Sequence, residues 1–320
     1  MAHSPDRSSP IMLKDARDYQ ILSLSLFLFL GIATRDWTLR PDLIGVILAT
    51  CLLTQWLTVQ ISTFGLRWWT QYFWGTRGGS ESSGGVEGNS QETPQGLPHA
   101  SMPSLRSALI TGLGLCLLLR ADHWTTVAIA AALAILSKFL FRIQGKHFFN
   151  PANFGMITVL LLTSDAWVSP GQWGEEWWYG LLFAGLGGMV LQRVGRWDTT
   201  AAFLGAYAIL EAGRNFWLGW TWDVYLHKLM SGSLLLFALF MVTDPRSIPN
   251  ARTARIIWAL CIAGLTFVLR NQFYVSTAIL WALFALSPLT LLLDRLWAAP
   301  QFSWGTSPKK HPIDTELSTV

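Results

Sequence analysis

The chain has little charge for its length. Only 13% of its 320 residues are Asp, Glu, Lys or Arg, whereas 52% are hydrophobic. So few charges cannot cover the surface of a water-soluble domain of this size. The composition therefore excludes a soluble enzyme and predicts a protein that crosses the lipid bilayer several times.

Motifs that carry catalytic chemistry are also missing. The chain contains no Gly-x-Ser-x-Gly, no P-loop and no His-Glu-x-x-His. Its three cysteines, Cys51, Cys116 and Cys261, each lie in an apolar run without metal-ligand spacing, so we interpret them as buried packing residues. We expect no metal site, and whether the protein is an enzyme stays open. Basic residues are spread over many short loops, which argues against a nucleic-acid partner.

Long apolar runs are abundant, and they predict an all-α membrane protein of about ten transmembrane helices. We place these helices at 19–33, 42–62, 105–119, 124–141, 153–163, 177–194, 199–216, 225–242, 254–269 and 275–296. The fifth is short for a bilayer, which indicates a half-spanning or broken helix. Most Lys and Arg residues fall on the side that would hold both ends of the chain. This bias predicts cytoplasmic termini in a multi-pass protein of the inner (cytoplasmic) membrane.

The order of these runs predicts five segments. They are a cytoplasmic tail at 1–18, two transmembrane helices at 19–77, a disordered Gly/Ser-rich cytoplasmic linker at 78–103, an eight-helix membrane region at 104–297 and a cytoplasmic tail at 298–320.

A first polar stretch precedes the short fifth span. Lys138, Arg142 and Lys146 follow one another at a spacing of four, which predicts one helix face. Asn150 comes before a proline, and Asn153 is then expected to cap the fifth helix. A helix N-terminus beside Lys146 would attract an anionic group. The alternative is an ordinary entry turn with basic side chains that reach the membrane surface.

A second polar stretch ends the eighth span. Pro245 lacks an N–H group and restricts Asp244, so the helix should stop there. Arg246, Arg252 and Arg255 follow. By itself, this pattern is typical of a turn between two transmembrane helices.

Ionisable residues deep in the spans are scarce. Lys138, Asp198 and Glu211 lie near the ends of predicted spans, and no span centre carries a carboxylate. Since intramembrane charges mark ion and proton paths, this scarcity argues against a self-contained proton pump.

The two polar stretches, in this order, resemble the family of the membrane subunits RnfD and NqrB. The residues that carry the resemblance are Phe149-Asn150-Pro151-Ala152-Asn153-Phe154-Gly155 and Phe240-Met241-Val242-Thr243-Asp244-Pro245. The resemblance implies ten spans in two inverted five-helix halves and a subunit of a redox-linked electron- and ion-transport complex. Its partners would be other membrane or redox subunits. It also implies an FMN joined to a threonine of a Ser/Thr-Gly-Ala-Thr motif between spans five and six.

The chain departs from the family in that loop. Residues 164–176 contain no such motif and no threonine, so covalent FMN is not expected. In this respect the chain is similar to shorter UnbU-like members. We expect any flavin, riboflavin or FMN, to be bound non-covalently near Asn150, Asn153, Gly155, Thr243 and Asp244.

Two other functions stay open from the sequence. An inverted repeat with a broken helix also suits a small-solute transporter or channel. A membrane scaffold that anchors a partner protein is the second alternative.

Overall fold

The structure, a computed structural model, describes residues 15–34, 40–74, 104–169 and 177–302. The first part of the chain forms α1 (Ala16–Thr34), α2 (Pro41–Trp74), α3 (Leu105–Leu118), α4 (Trp124–Leu140) and α5 (Pro151–Leu162). The second part forms α6 (Trp177–Val194), α7 (Trp197–Trp217), α8 (Trp222–Leu229), α9 (Gly232–Leu236), a π-helical segment (Phe237–Met241), α10 (Arg252–Asn271), α11 (Ala278–Leu286) and α12 (Leu289–Leu296). The all-α prediction is confirmed.

Several of these helices have the length and hydropathy of membrane spans. Three qualify alone, over Ala16–Ala33, Pro41–Ser62 and Arg252–Asn271, and the number rises to five if each of two bent helix pairs is one span. Three shorter apolar helices are α3, α4 and α5. A polytopic membrane protein is therefore confirmed, whereas ten as the number of spans stays a prediction. The predicted linker at 78–103 lies outside the described residues, and the five-segment division also stays a prediction.

Two segments predicted as single helices are broken. The eighth bends by 48° where α8 gives way to α9, and the tenth bends by 49° between α11 and α12. Ser231 and Gly232 lie at the first break, and both are poor helix formers. At the second break, Pro288 removes a backbone donor and ends the α11 ladder.

Four short strands join the helices of the first part, and the sequence analysis did not expect them. The strands are β1 (Leu119–Ala121), β2 (Arg142–Ile143), β3 (Lys146–His147) and β4 (Ala166–Val168). β1 pairs antiparallel with β4, with Arg120 opposite Trp167. β2 and β3 form a hairpin whose two connecting residues, Gln144 and Gly145, have φ of 50° and 81°. Positive φ at both residues is what a tight two-residue hairpin turn requires.

The chain divides into two compact units. The N-terminal unit is residues 28–169, and the C-terminal unit is residues 170–320 together with 1–27. Between 28 and 320, the division falls between α5 and α6, where the two predicted five-helix halves meet. The order of packing recurs in both units: α4 packs on α2 and α5, and α10 packs on α7 and α11. The inverted orientation of the two halves stays a prediction.

Small residues hold the N-terminal unit together. A Cβ atom at Gly155 on α5 would lie 2.4 Å from the carbonyl oxygen of Ala130 and 2.8 Å from the Cβ of Ala134, both on α4. At Gly112 on α3, a Cβ atom would lie 2.9 Å from Leu48 on α2. These glycines let the helix backbones approach closely, as is common in membrane bundles.

Aromatic rings and charges hold the C-terminal unit together. Phe203 on α7 lies 5.1 Å from Phe237 of the π-helical segment, measured between ring centroids. Asp198, at the start of α7, is bonded to Arg255, at the start of α10. Asn271, at the end of α10, is bonded to Glu211, in the last third of α7. The N-terminal residues of α7 and α10 contact each other, and so do residues towards their C-termini, so the two helices run in the same direction.

Candidate functional site

Asn150 caps α5, and this corrects the prediction that Asn153 does so. The Asn150 Oδ1 accepts a hydrogen bond of 3.1 Å from the backbone N–H of Asn153, and Pro151 is the first helical residue. A proline there has no N–H to leave unsatisfied, and an Asn side chain three residues before the donor is a favourable cap. Asn150 and Asn153 are both buried.

The prediction that the basic residues before α5 share one helix face is wrong. α4 ends at Leu140, so that Lys138 is helical while Arg142 and Lys146 belong to the β2–β3 hairpin. The Nζ of Lys138 donates to the carbonyl oxygen of Ser107 at 3.0 Å and to its hydroxyl at 3.2 Å. Lys146 and His147 are buried in β3. The prediction from the spacing of four was wrong because α4 ends before Arg142 and Lys146.

The Thr243-Asp244-Pro245 segment forms the predicted turn. The π-helical segment ends at Met241, and the Thr243 hydroxyl donates to the carbonyl oxygen of Leu239 at 2.9 Å. The half-buried Asp244 accepts a hydrogen bond of 3.2 Å from the backbone N–H of Arg246. An Asp that bonds the backbone two residues ahead fixes such a turn locally. The prediction that the helix stops before Pro245 is confirmed.

Asp198 and Arg255 form a buried ion pair that sequence reasoning missed. The Arg255 Nη2 donates to the Asp198 Oδ2 at 2.7 Å, and 6% of each side chain is exposed. Arg255 also donates to the carbonyl oxygen of Asn250 at 2.6 Å. The Asp198 Oδ1 accepts from the backbone N–H of Thr199 at 2.9 Å. This network joins the start of α7 to the start of α10.

Glu211 is the centre of a second buried network. Its Oε2 accepts from Lys228 on α8 at 3.0 Å, and its Oε1 accepts from Asn271 on α10 at 2.6 Å. Next to it, Arg270 donates to the Tyr207 hydroxyl at 3.2 Å. Only 1% of the Glu211 side chain is exposed. The sequence placed this residue in the seventh predicted span, but Lys228, which neutralises it, and Asn271, which donates to it, lie 17 and 60 positions further along the chain.

A third polar group surrounds Asp165, between α5 and β4. Asp165 accepts from the Thr126 hydroxyl at 2.6 Å and lies 2.8 Å from the Nδ1 of His123. The Thr126 hydrogen bond and then the His123 contact lower the pKa of Asp165 from 3.8 to about 2. Residues 170–176 of this loop lie outside the described part of the chain.

Two further expectations concern packing and metals. Cys51 and Cys116 are buried as predicted, but Cys261 is exposed, because it lies on a side of α10 that no described helix covers. The described residues contain no group of three or more His, Cys, Asp or Glu side chains that could hold a metal ion.

The five residues expected near a flavin fall in both units. Asn150, Asn153 and Gly155 belong to the N-terminal unit, and Thr243 and Asp244 belong to the C-terminal unit. Asn150 caps α5, Gly155 contacts the α4 backbone, and Thr243 bonds its own helix. Because at least three of the five residues already have contacts within the fold, the five residues fit a flavin in part.

Comparison with known proteins supports the family resemblance. The family model described as "NQR2, RnfD, RnfE family" matches residues 163–303. This stretch contains the Thr243-Asp244-Pro245 turn, whereas Asn150 to Gly155 lie before it. The predicted resemblance to the RnfD and NqrB family is confirmed over this part of the chain.

Individual relatives are named as subunits of one kind of complex, the ion-translocating oxidoreductase complex. The chain is 32% identical over 153 residues to such a subunit from Stutzerimonas stutzeri, covering 48% of this chain and 42% of the relative. It is 35% identical over 102 residues to the protein of the same name from Vibrio atlanticus (strain LGP32), covering 31% and 29%. A third, from Pseudomonas aeruginosa (strain UCBPP-PA14), is 25% identical over 268 residues, covering 64% and 74%. The chain thus spans less than half the length of the first two relatives.

Proposed function

We propose that this protein is an integral membrane subunit of a redox-linked electron- and ion-transport complex of the RnfD and NqrB type. The observation that carries the proposal is the family match over residues 163–303, which includes the turn at Asp244. Relatives named as subunits of an ion-translocating oxidoreductase complex support the same role. Other membrane or redox subunits would be its partners. We place it in the inner membrane with both termini in the cytoplasm.

The buried Glu211 network supports the ion-transport part of the proposal. Glu211 lies near the end of its predicted span and not at the centre, but its side chain is buried, and buried ionisable residues of membrane helices mark ion and proton paths. Lys228, which pairs with Glu211, lies one turn before the break between α8 and α9. Broken helices expose backbone groups that bind ions in several transporters. Ion movement would thus pass through the C-terminal unit near Glu211.

The loop sequence supports a flavin that is not covalently attached. In the family that the chain resembles, the phosphate ester joins FMN to a threonine of a Ser/Thr-Gly-Ala-Thr motif, and residues 164–176 contain neither that motif nor a threonine. When bound, a riboflavin or FMN ring would accept electrons and pass them on. Asn153 of the N-terminal unit, which Asn150 would keep in place, and Asp244 of the C-terminal unit are each candidates for a hydrogen bond to its polar edge.

The first experiment is a spectrum of the protein purified in mild detergent. Visible absorbance should show an oxidised flavin, and acid should release that flavin in a ratio near one per chain. Flavin that stays on the acid-precipitated chain would contradict non-covalent binding. A colourless, folded protein would overturn the flavin proposal and favour the small-solute transporter, since both bent helix pairs suit that class.

Variants test the two suggested ring contacts. Asn153→Ala and Asp244→Ala should each lower the flavin content per folded chain. Asp223→Ala is the matched control, because Asp223 is an exposed acid at the start of α8. Full flavin occupancy in both test variants would show that the ring binds elsewhere.

A further inference from the structure

Three arginines surround one buried carboxylate where α7 and α10 begin. Arg255 bonds the Asp198 Oδ2 at 2.7 Å, and the Arg252 Nε lies 3.7 Å from the same oxygen. Arg196 immediately precedes α7, and its pKa is lowered by burial and then by the nearby Arg255 guanidinium. One carboxylate cannot neutralise three guanidinium groups. The cluster of Arg196, Arg252 and Arg255, called here the arginine cluster, therefore keeps an excess of positive charge.

Two donors of the arginine cluster are buried without an acceptor among the described residues. They are the Nε atoms of Arg196 and Arg255. Arg255 as a side chain is only 6% exposed. A buried charged donor that lacks an acceptor is costly, so such groups are normally satisfied by a ligand or water. The geometry is that of a site whose acceptor comes from another molecule.

The two helix starts add to the positive potential. Arg196 and Ala251 are the residues before α7 and α10, and neither provides a side-chain cap for its helix. Because α7 and α10 run in the same direction, their N-termini lie at the same end, where an anion is favoured, although Asp198 already accepts from the N–H of Thr199.

The surroundings of the cluster are those of a membrane surface. The Arg252 guanidinium lies 5.7 Å from the centroid of the Trp197 ring. Trp197 is 58% exposed, and exposed tryptophans are enriched at the level of lipid headgroups. Further along α10, Leu260 and Val268 are exposed apolar side chains that acyl chains can contact.

We infer that the arginine cluster binds the phosphate group of an acidic phospholipid. Guanidinium groups match phosphate oxygens in pairs, and basic pockets between membrane helices take up phospholipid headgroups. The phosphate would accept from the two Nε donors, and Trp197 would lie beside the glycerol. The site lies at the starts of α7 and α10, and none of its residues is one of the five expected near a flavin.

The test compares phosphatidylglycerol with phosphatidylcholine on the detergent-purified protein. Phosphatidylglycerol should raise the unfolding temperature of the protein by several degrees more than phosphatidylcholine does. It should also stay bound to the protein in native mass spectrometry. The double variant Arg196→Gln and Arg252→Gln should bind phosphatidylglycerol about 25-fold more weakly, since each arginine near lipid phosphate contributes about fivefold. Arg255 is kept, because it holds Asp198. Arg193→Gln is the matched control: this exposed arginine on α6 lies over the Tyr19 ring, 4.9 Å away.

Three results would overturn the inference. Equal phosphatidylglycerol binding by the double variant and the Arg193→Gln control would place the lipid elsewhere. An equal temperature shift with inorganic phosphate would show that the cluster takes a free anion and not a lipid. A variant truncated after Phe302 lacks Asp314 and Glu316. If phosphatidylglycerol binds this variant but not the full chain, one of those two carboxylates occupies the arginine cluster in the full chain.

Discussion

The two compact units bury charge in opposite ways. In the N-terminal unit, the buried cations Arg120 and Lys138 donate to backbone carbonyl oxygens of Cys116 and Ser107. Among the described residues of the C-terminal unit, two carboxylates are buried, and cations from other helices neutralise them. A carbonyl oxygen carries no net charge, so the Lys138 contact joins α4 to α3 without an ion pair, whereas the ion pairs of the C-terminal unit neutralise charge between two helices. The N-terminal unit should therefore depend on steric fit, and the C-terminal unit on charge.

The largest loss of stability is expected when one buried charge is removed from the C-terminal unit. Asp198→Ala should lower the free energy of unfolding by about 3–5 kcal/mol, because it leaves Arg255 buried without its partner. Unfolding by a denaturing detergent, followed by circular dichroism, measures this loss.

A double variant provides the control for Asp198→Ala. Replacing both partners, with Asp198→Leu and Arg255→Met, should recover much of the stability, since Arg255 is then no longer buried without its partner. A double variant as unstable as the single one would show that packing, not charge, holds α7 to α10.

The next largest loss of stability is expected when one methyl group is added to the N-terminal unit. Gly155→Ala should lower the free energy of unfolding by about 1–3 kcal/mol, because its Cβ would meet the Ala130 carbonyl oxygen. Gly114→Ala on α3 is the matched control: its Cβ would lie 3.6 Å from Ala152, an ordinary contact. Equal stability of the two variants would contradict the steric account of this unit.

A smaller effect is expected at the start of α5. Asn150→Ala should cost about 1 kcal/mol, because the N–H of Asn153 loses its side-chain acceptor. Asn150→Ser should keep most of the stability, since Ser is an equally good cap and brings no charge into this buried position. If Asn150→Ser is as unstable as Asn150→Ala, the amide of Asn150 has a role other than capping.

The smallest effect concerns acid and the exposed network at Asp165. Its pKa is lowered from 3.8 to about 2 in the folded protein, so its hydrogen bonds stabilise the fold above pH 3.8 and are lost as pH falls towards 2. The difference in unfolding temperature between the wild type and Asp165→Asn should shrink over that range. Asp122→Asn, an exposed neighbour, serves as control. A constant difference from pH 5 to pH 2 would exclude this linkage.

Local signals in the sequence were sufficient for most of the helices. Pro245 ended its helix as expected, and Asn150-Pro151 marked the start of α5, although the cap was assigned to the wrong asparagine. The hairpin at Arg142–His147 was missed because it depends on positive φ at Gln144, which the spacing of basic residues does not show.

Local sequence patterns did not predict contacts between residues that lie far apart in the chain. Arg255 lies 57 positions after Asp198, and a single sequence does not indicate that α10 packs against α7. Similarly, Gly155 was expected at a cofactor, and only the packing of α5 on α4 explains why it has no side chain.

The π-helical segment has a consequence for how the chain tolerates changes in length. All five of its residues, Phe237–Met241, are buried, which a regular α-helix with one buried side does not allow. A π-turn equals one residue inserted into an α-helix, and it rotates everything that follows by about 100°. The direction in which Thr243 and Asp244 face therefore depends on that single insertion. Deleting one residue here would return the helix to regular winding and turn the motif to another side, while leaving the composition of the chain almost unchanged.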